Sequence, residues 1–112
     1  PEPLFLLFVL TDGPLLAGHP GTPAGLDAHL QMLPSDRRIE WAACNHGGDI
    51  RQLTDHIITS GGHVAVGLGD YASNENSHLH NADLVAEVAA RANALGREVA
   101  TPAEVRAMLA MN

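Results

Sequence analysis

The sequence predicts an α/β fold with parallel strands, and three observations carry that reading. Short apolar runs at Leu4 to Leu10, Ile39 to Cys44 and His63 to Leu68 look like strands buried on both faces, which need no polar alternation. Each run is followed by a helical stretch, and strands alternating with helices pair in parallel through right-handed crossovers. Each run also ends abruptly in turn residues, where the chemistry of α/β folds collects.

The elements follow in order. Leu4 to Leu10 stops at Thr11-Asp12-Gly13-Pro14. Thr22 caps a helix with Pro23 at its first position, Leu26, Leu30 and Leu33 on its apolar face and Pro34 closing it. The second strand, Ile39 to Cys44, leads through Asn45-His46-Gly47-Gly48 to a helix capped by Asp49, with Ile50, Leu53, Ile57 and Ile58 on one face. Gly61-Gly62 ends that helix and feeds the third strand, His63 to Leu68. A polar loop runs from Tyr71 to His80, and Asn81 caps an Ala-rich helix reaching about Leu95, where Gly96 stops it. Thr101-Pro102-Ala103-Glu104 has the spacing of a capping box and opens a terminal helix. No tandem repeat or low-complexity linker interrupts this order.

Composition narrows the function. A chain of 112 residues, 46% hydrophobic and 17% charged, suits one soluble globular domain with a modest core. All 6 of its cations are Arg, so no Lys can form a Schiff base or serve a phosphate loop. A net charge of −7 with no basic run makes nucleic acid and anionic membrane poor partners. The longest apolar run, Leu4 to Leu10, is far short of the ~20 residues a membrane span needs, and the features of a signal peptide are missing. The single cysteine, Cys44, rules out an internal disulfide and points to the cytoplasm. A start at Pro1-Glu2-Pro3 that enters a strand almost at once reads as a cut through a larger protein. Three parallel strands leave open apolar edges, and further strands, closing a barrel or extending an open sheet, would cover them.

Several segments carry a resemblance. Gly61-Gly62-His63-Val64, Val66-Gly67-Leu68 with Asp70, Asn81-Ala82-Asp83-Leu84-Val85 and Gly96 to Glu104, preceded by Phe8-Val9-Leu10 and Gly21-Thr22-Pro23, together resemble the carboxyl-terminal part of the beta-keto acid cleavage enzyme family. Its best-known member acts on 3-keto-5-aminohexanoate. The likeness spans essentially the whole chain and is most specific after residue 60. It implies the last three βα units of a TIM (β/α)8 barrel plus closing helices, a partial barrel in which residues 1–112 are the carboxyl-terminal fragment of one domain. It further implies zinc, a reaction of a beta-keto acid with acetyl-CoA giving acetoacetate and a new CoA thioester, and assembly into homo-oligomers, usually tetramers. The fragment alone should be inactive, because the family's main zinc histidines lie in the amino-terminal half. The family pattern has an Arg where this chain has Ala65 and a zinc-binding Glu where it has Gly69. Those departures leave room for a catalytically altered barrel that binds a keto acid without the CoA reaction.

The candidate residues follow. Asp70, at a strand's carboxyl end after two glycines, is the candidate general base or relay member, the plain alternative being a turn aspartate. Gly47 and Gly48 are candidates for cradling the CoA pyrophosphate with backbone N–H groups, although Asp49 at the cap would repel an anion. Asp12 ends the first strand and is a candidate substrate contact or a turn former. Glu75 is a candidate substitute for the zinc ligand missing at Gly69. His78 and His80 have a metal-site spacing, which keeps open a free-standing α/β metal-binding or interaction module. His63 reads as a structural histidine, and Cys44 and Trp41 as core.

Overall fold

The computed structural model describes residues 2–13, 18–71 and 78–111. Strand β1 (Leu4–Thr11), helix α1 (Pro23–Leu30), strand β2 (Ile39–His46), a 3-10 turn (Ile50–Leu53) running into helix α2 (Thr54–Thr59), strand β3 (His63–Val64), helix α3 (Asn81–Ala94) and helix α4 (Pro102–Met108) follow one another. The three strands form one parallel sheet in the order β1-β2-β3. The α/β class and the parallel pairing expected from the sequence are therefore present.

The register sorts the side chains. Leu6, Phe8 and Leu10 share a face with Trp41, Ala43 and Val64, and that face meets Leu26 of α1, Ile50 and Leu53 of the 3-10 turn and Ile57 of α2 in the core. On the other face lie Phe5, Leu7 and Val9 with Glu40, Ala42, Cys44 and His63. On that second face Ala42 and Cys44 of the central strand are 5% and 7% exposed, whereas Phe5, Leu7 and Val9 of β1 are 50%, 52% and 44% exposed. An apolar strand with one face in a core and the other open to solvent is unusual for a finished fold. Among the described residues β1 and β3 each keep one edge unpaired.

Several boundaries differ from the sequence reading. The third strand is paired only at His63–Val64, with Ala65 N–H still donating to Ala43 O at 2.9 Å, and does not run to Leu68. Beyond that point Leu68 N–H donates to the Asn81 side chain at 2.8 Å and Asp70 N–H turns back to Gly67 O at 3.3 Å, so the chain is spent on a turn rather than a ladder. Asn81 is consequently not the cap of α3. His80 is, and its N–H donates to Asp83 Oδ2 at 2.7 Å. Helix α1 ends at Leu30, and Met32 and Leu33 close a tighter turn through bonds to His29 O and Leu30 O. Asp49 does cap the next segment, accepting Arg51 N–H at 3.0 Å, but that segment opens as 3-10 before becoming α2. Thr22 and the Thr101–Glu104 box cap α1 and α4 as expected, with Glu104 Oε2 accepting Thr101 N–H at 2.7 Å.

Candidate functional site

The carboxyl ends of the three strands come together through their loops. Asp12 N–H donates to His46 O at 2.9 Å, tying the end of β1 to the end of β2. Gly47 N–H donates to Asp70 O at 2.8 Å, tying the end of β2 to the turn after β3. Asp70 is thus held by its own main chain beside the second loop. Its carboxylate Oδ1 lies 3.6 Å from Nδ1 of His46, with both side chains between two-fifths and half exposed. His46 carries the alternation of Cys44 and Ala42 and so belongs to the open face of the sheet, opposite Thr11 in register.

Sequence reading singled out Asp70 and missed His46, which it treated only as part of a loop. The signal that was available is positional: His46 lies just beyond the apolar run Ile39 to Cys44, as Asp70 lies just beyond His63 to Leu68. Pairing them requires the turn at Gly67 to Asp70 and the Gly47 bond, neither of which periodicity reveals.

Among the described residues, two polar atoms nearby are buried without a hydrogen-bond partner, Thr11 Oγ1 and Asn45 Oδ1, an uncommon state for buried polar groups. Asn45 is 1% exposed, and with Gly48, Val66, Gly67, Asp70 and Tyr71 it lines a narrow niche behind the strand ends.

Asp12 is committed to a different task. Its Oδ1 accepts Gly21 N–H at 3.1 Å and its Oδ2 accepts the Asn45 amide at 2.8 Å, on the helix side of the sheet. Gly48 packs against the same carboxylate, and Gly47, at a positive φ of 82°, has its N–H engaged by Asp70. Gly47 therefore closes the strand ends together. Asp49 is held by Arg51, which also reaches Glu87 of α3 at 3.1 Å. The Arg51 hydrogen bonds keep the Asp49 carboxyl below its ordinary range against the opposing effect of burial. The same bonds raise the Arg51 guanidinium. Burial, and then the charge of Asp70, push the Cys44 thiol up, against a backbone hydrogen bond that lowers it.

The other candidates lie apart. Glu75 is outside the described residues. His78 and His80 are exposed at the start of α3. His63 sits at the opposite end of the open face, 3.5 Å from Glu40 and ring to ring with Phe5 at 6.5 Å. Ala65 follows it, and a Cβ at Gly69 would meet no atom within 4 Å. Among the described residues no three His, Cys, Asp or Glu side chains converge as a metal site would require. These residues do not by themselves fit zinc. A larger apolar groove of about 440 Å³ runs between β3, α3 and α4, lined by Val64, Val88, Val99 and Met108, away from the strand ends. No helix among the described residues is long and apolar enough to cross a membrane.

A family model described as beta-keto acid cleavage enzyme matches residues 1–111. No curated protein matches the chain.

Proposed function

The chain belongs to the beta-keto acid cleavage enzyme family, and from that premise we propose that it supplies the last three βα units of a TIM (β/α)8 barrel that cleaves beta-keto acids. The sequential strand order, with α1 and α2 packed on one face, suits a singly wound sheet closing on itself. In such a barrel Phe5, Leu7 and Val9 would fill the interior, which explains why these apolar side chains of β1 are about half exposed among the described residues. The unpaired edges of β1 and β3 would join the strands completing the ring.

The observation that carries the function is the placement of Asp70. It stands in the turn beyond β3, fixed by the Gly47 bond at the carboxyl end of β2, with its carboxylate toward His46. Catalytic groups of barrels occupy that end. The reaction is the transfer of a beta-keto acid carbon onto acetyl-CoA. A relay containing Asp70 removes the proton alpha to the keto group, the enolate attacks the acetyl thioester, and cleavage releases acetoacetate and a new CoA thioester. Zinc, where bound, would polarise a carbonyl oxygen; its ligands come from outside the described residues, and the steps assigned to this chain are movements of a proton. The substrates are a small beta-keto acid and acetyl-CoA, with neither nucleic acid nor membrane as partner. The whole protein assembles as a homo-oligomer, and the buried free thiol of Cys44 suits the cytoplasm.

The test uses the whole protein with acetyl-CoA and a panel of beta-keto acids, following acetoacetate. Turnover is expected, with Asp70→Asn lowering kcat by about 10²- to 10⁴-fold at unchanged melting temperature. No acetoacetate from any beta-keto acid would overturn this reading.

Ala65 and Gly69 favour a second reading, a barrel that binds keto acids without the CoA reaction. A Cβ at Gly69 meets no described atom within 4 Å, so the Ala65→Arg with Gly69→Glu variant starts from open space at that position. Acetoacetate formation that appears only in this double variant supports it, and turnover by the wild type rejects it.

A further inference from the structure

We infer that His46 is a catalytic residue of this site, the group that carries the proton, with Asp70 as its orienting partner. The inference rests on the beta-keto acid reading above and names the second member of the relay.

Three observations converge on His46. Its Nδ1 lies 3.6 Å from Asp70 Oδ1, within ion-pair reach. At that distance the two groups make an ion-pair contact rather than a hydrogen bond, and contacts between catalytic groups often tighten only when substrate binds. Its backbone is fixed on both sides, since His46 O accepts Asp12 N–H and the next residue, Gly47, donates to Asp70 O. The pair is therefore positioned by main chain from all three strand ends, and not by two free side chains meeting on a surface. Finally, its register partner on the neighbouring strand is Thr11, 7% exposed, whose hydroxyl is buried without a hydrogen-bond partner among the described residues. A hydroxyl in that state, at the register position opposite His46, is suited to receive a polar group of a bound molecule.

The chemistry follows from the geometry. With Nδ1–H turned toward Asp70, Nε2 of neutral His46 keeps its lone pair for the substrate. Nε2 takes a proton from the carbon between the keto and carboxylate groups, and the C–H electron pair becomes the enolate. The imidazolium formed lies opposite the Asp70 carboxylate, which stabilises it. The enolate carbon attacks the acetyl carbonyl and expels CoA thiolate. The thiolate attacks the original keto carbon, and the carbon–carbon bond breaks with its electron pair leaving as acetoacetate enolate. The imidazolium returns its proton to that enolate, so no proton is gained or lost over the cycle.

Because His46 protonates the acetoacetate enolate, it also exchanges the methylene protons of acetoacetate itself, with no CoA present. The experiment incubates the whole protein with acetoacetate in D2O and follows the methylene signal by NMR. The wild type is expected to exceed the buffer rate. His46→Ala should lose about 10²- to 10⁴-fold of that excess, with partial recovery in added imidazole. His46→Gln, similar in size but unable to accept the proton, should lose the excess at an unchanged melting temperature, so a folding defect in the Ala variant would not obscure the result. No exchange by the wild type, or an unchanged rate in His46→Gln, would overturn the assignment. Exchange without acetoacetate formation from acetyl-CoA would retire the cleavage reading and leave His46 standing; cleavage that persists in both His46 variants would do the reverse.

Discussion

Gly48 approaches Asp12 so closely that a Cβ built on it would sit 2.2 Å from Oδ2 and 2.4 Å from the Asn45 amide nitrogen. An aspartate tip would ordinarily swing away. Here it is held by Gly21 N–H and by the Asn45 amide, so moving it breaks a partly buried polar knot. Gly48→Ala should therefore destabilise the whole protein by about 1–3 kcal/mol, the range for breaking buried hydrogen bonds. Urea midpoints measure this. Adding Asp12→Ala should cost less in the Gly48→Ala background than in the wild type, because the two residues share one contact. Full additivity would show that the knot does not couple them.

Cys44 gives a chemical readout of Asp70. Burial raises the thiol first and the Asp70 charge raises it further. Near neutral pH, iodoacetamide should label Cys44 more slowly than an unhindered thiol, since the thiolate is the nucleophile. Asp70→Asn should speed labelling several-fold by removing the nearby negative charge. Peptide mapping at Cys44 across a pH series checks both, and equal rates in the two proteins would place Asp70 too far from Cys44 to matter.

The ion pairs of Arg51 imply a direction for acid sensitivity. The Asp49 carboxyl is lowered in the folded state, chiefly by Arg51 hydrogen bonds. A lowered carboxyl contributes stability that is fully present above its unfolded value, about 3.9, and is lost as pH falls through the lower folded value. Below about pH 4 the wild type should lose melting temperature more steeply than Asp49→Asn, which has no charge to protonate. Parallel curves would mean that the pair contributes nothing net. Asp55 and Glu104 are lowered as well, so the difference between the two proteins, not the wild-type slope, is the quantity to read.

Much of this fold was legible because its signals are local. Thr22-Pro23 and Thr101 to Glu104 specify helix starts through the hydrogen bonds of adjacent residues, and both form. The apolar run of β1 announced burial on two faces, of which the described residues cover one. What stayed hidden depends on partners distant in sequence. The third strand stops early because Leu68 and Asp70 find bonds at Asn81 and Gly67. The Arg97 guanidinium donates to Ile58 O at 3.2 Å and clamps the end of α2 across a separation that spacing does not reveal. His46 becomes a site residue only when Gly47 brings Asp70 beside it. Element types follow from spacing, whereas the site is made by loops crossing between strands.

Leu7 separates a barrel interior from a solvent face. It is 52% exposed here, between Phe5 and Val9 on the side opposite α1 and α2. On a true surface, Leu7→Glu would shift stability by no more than about 0.5 kcal/mol. Inside a closed barrel the same change buries an unpaired carboxylate among apolar side chains, at a cost of several kcal/mol. The whole protein carrying Leu7→Glu should therefore lose its cooperative melting transition or fall from the soluble fraction. Met32→Glu, at a residue 67% exposed beyond α1, should melt as the wild type does. Equal melting of the two variants would leave the open face in water and remove the argument for a ring of strands around it. Collapse of Leu7→Glu alone would place Phe5, Leu7 and Val9 in a packed interior, beneath the strand ends where Asp70 and His46 meet.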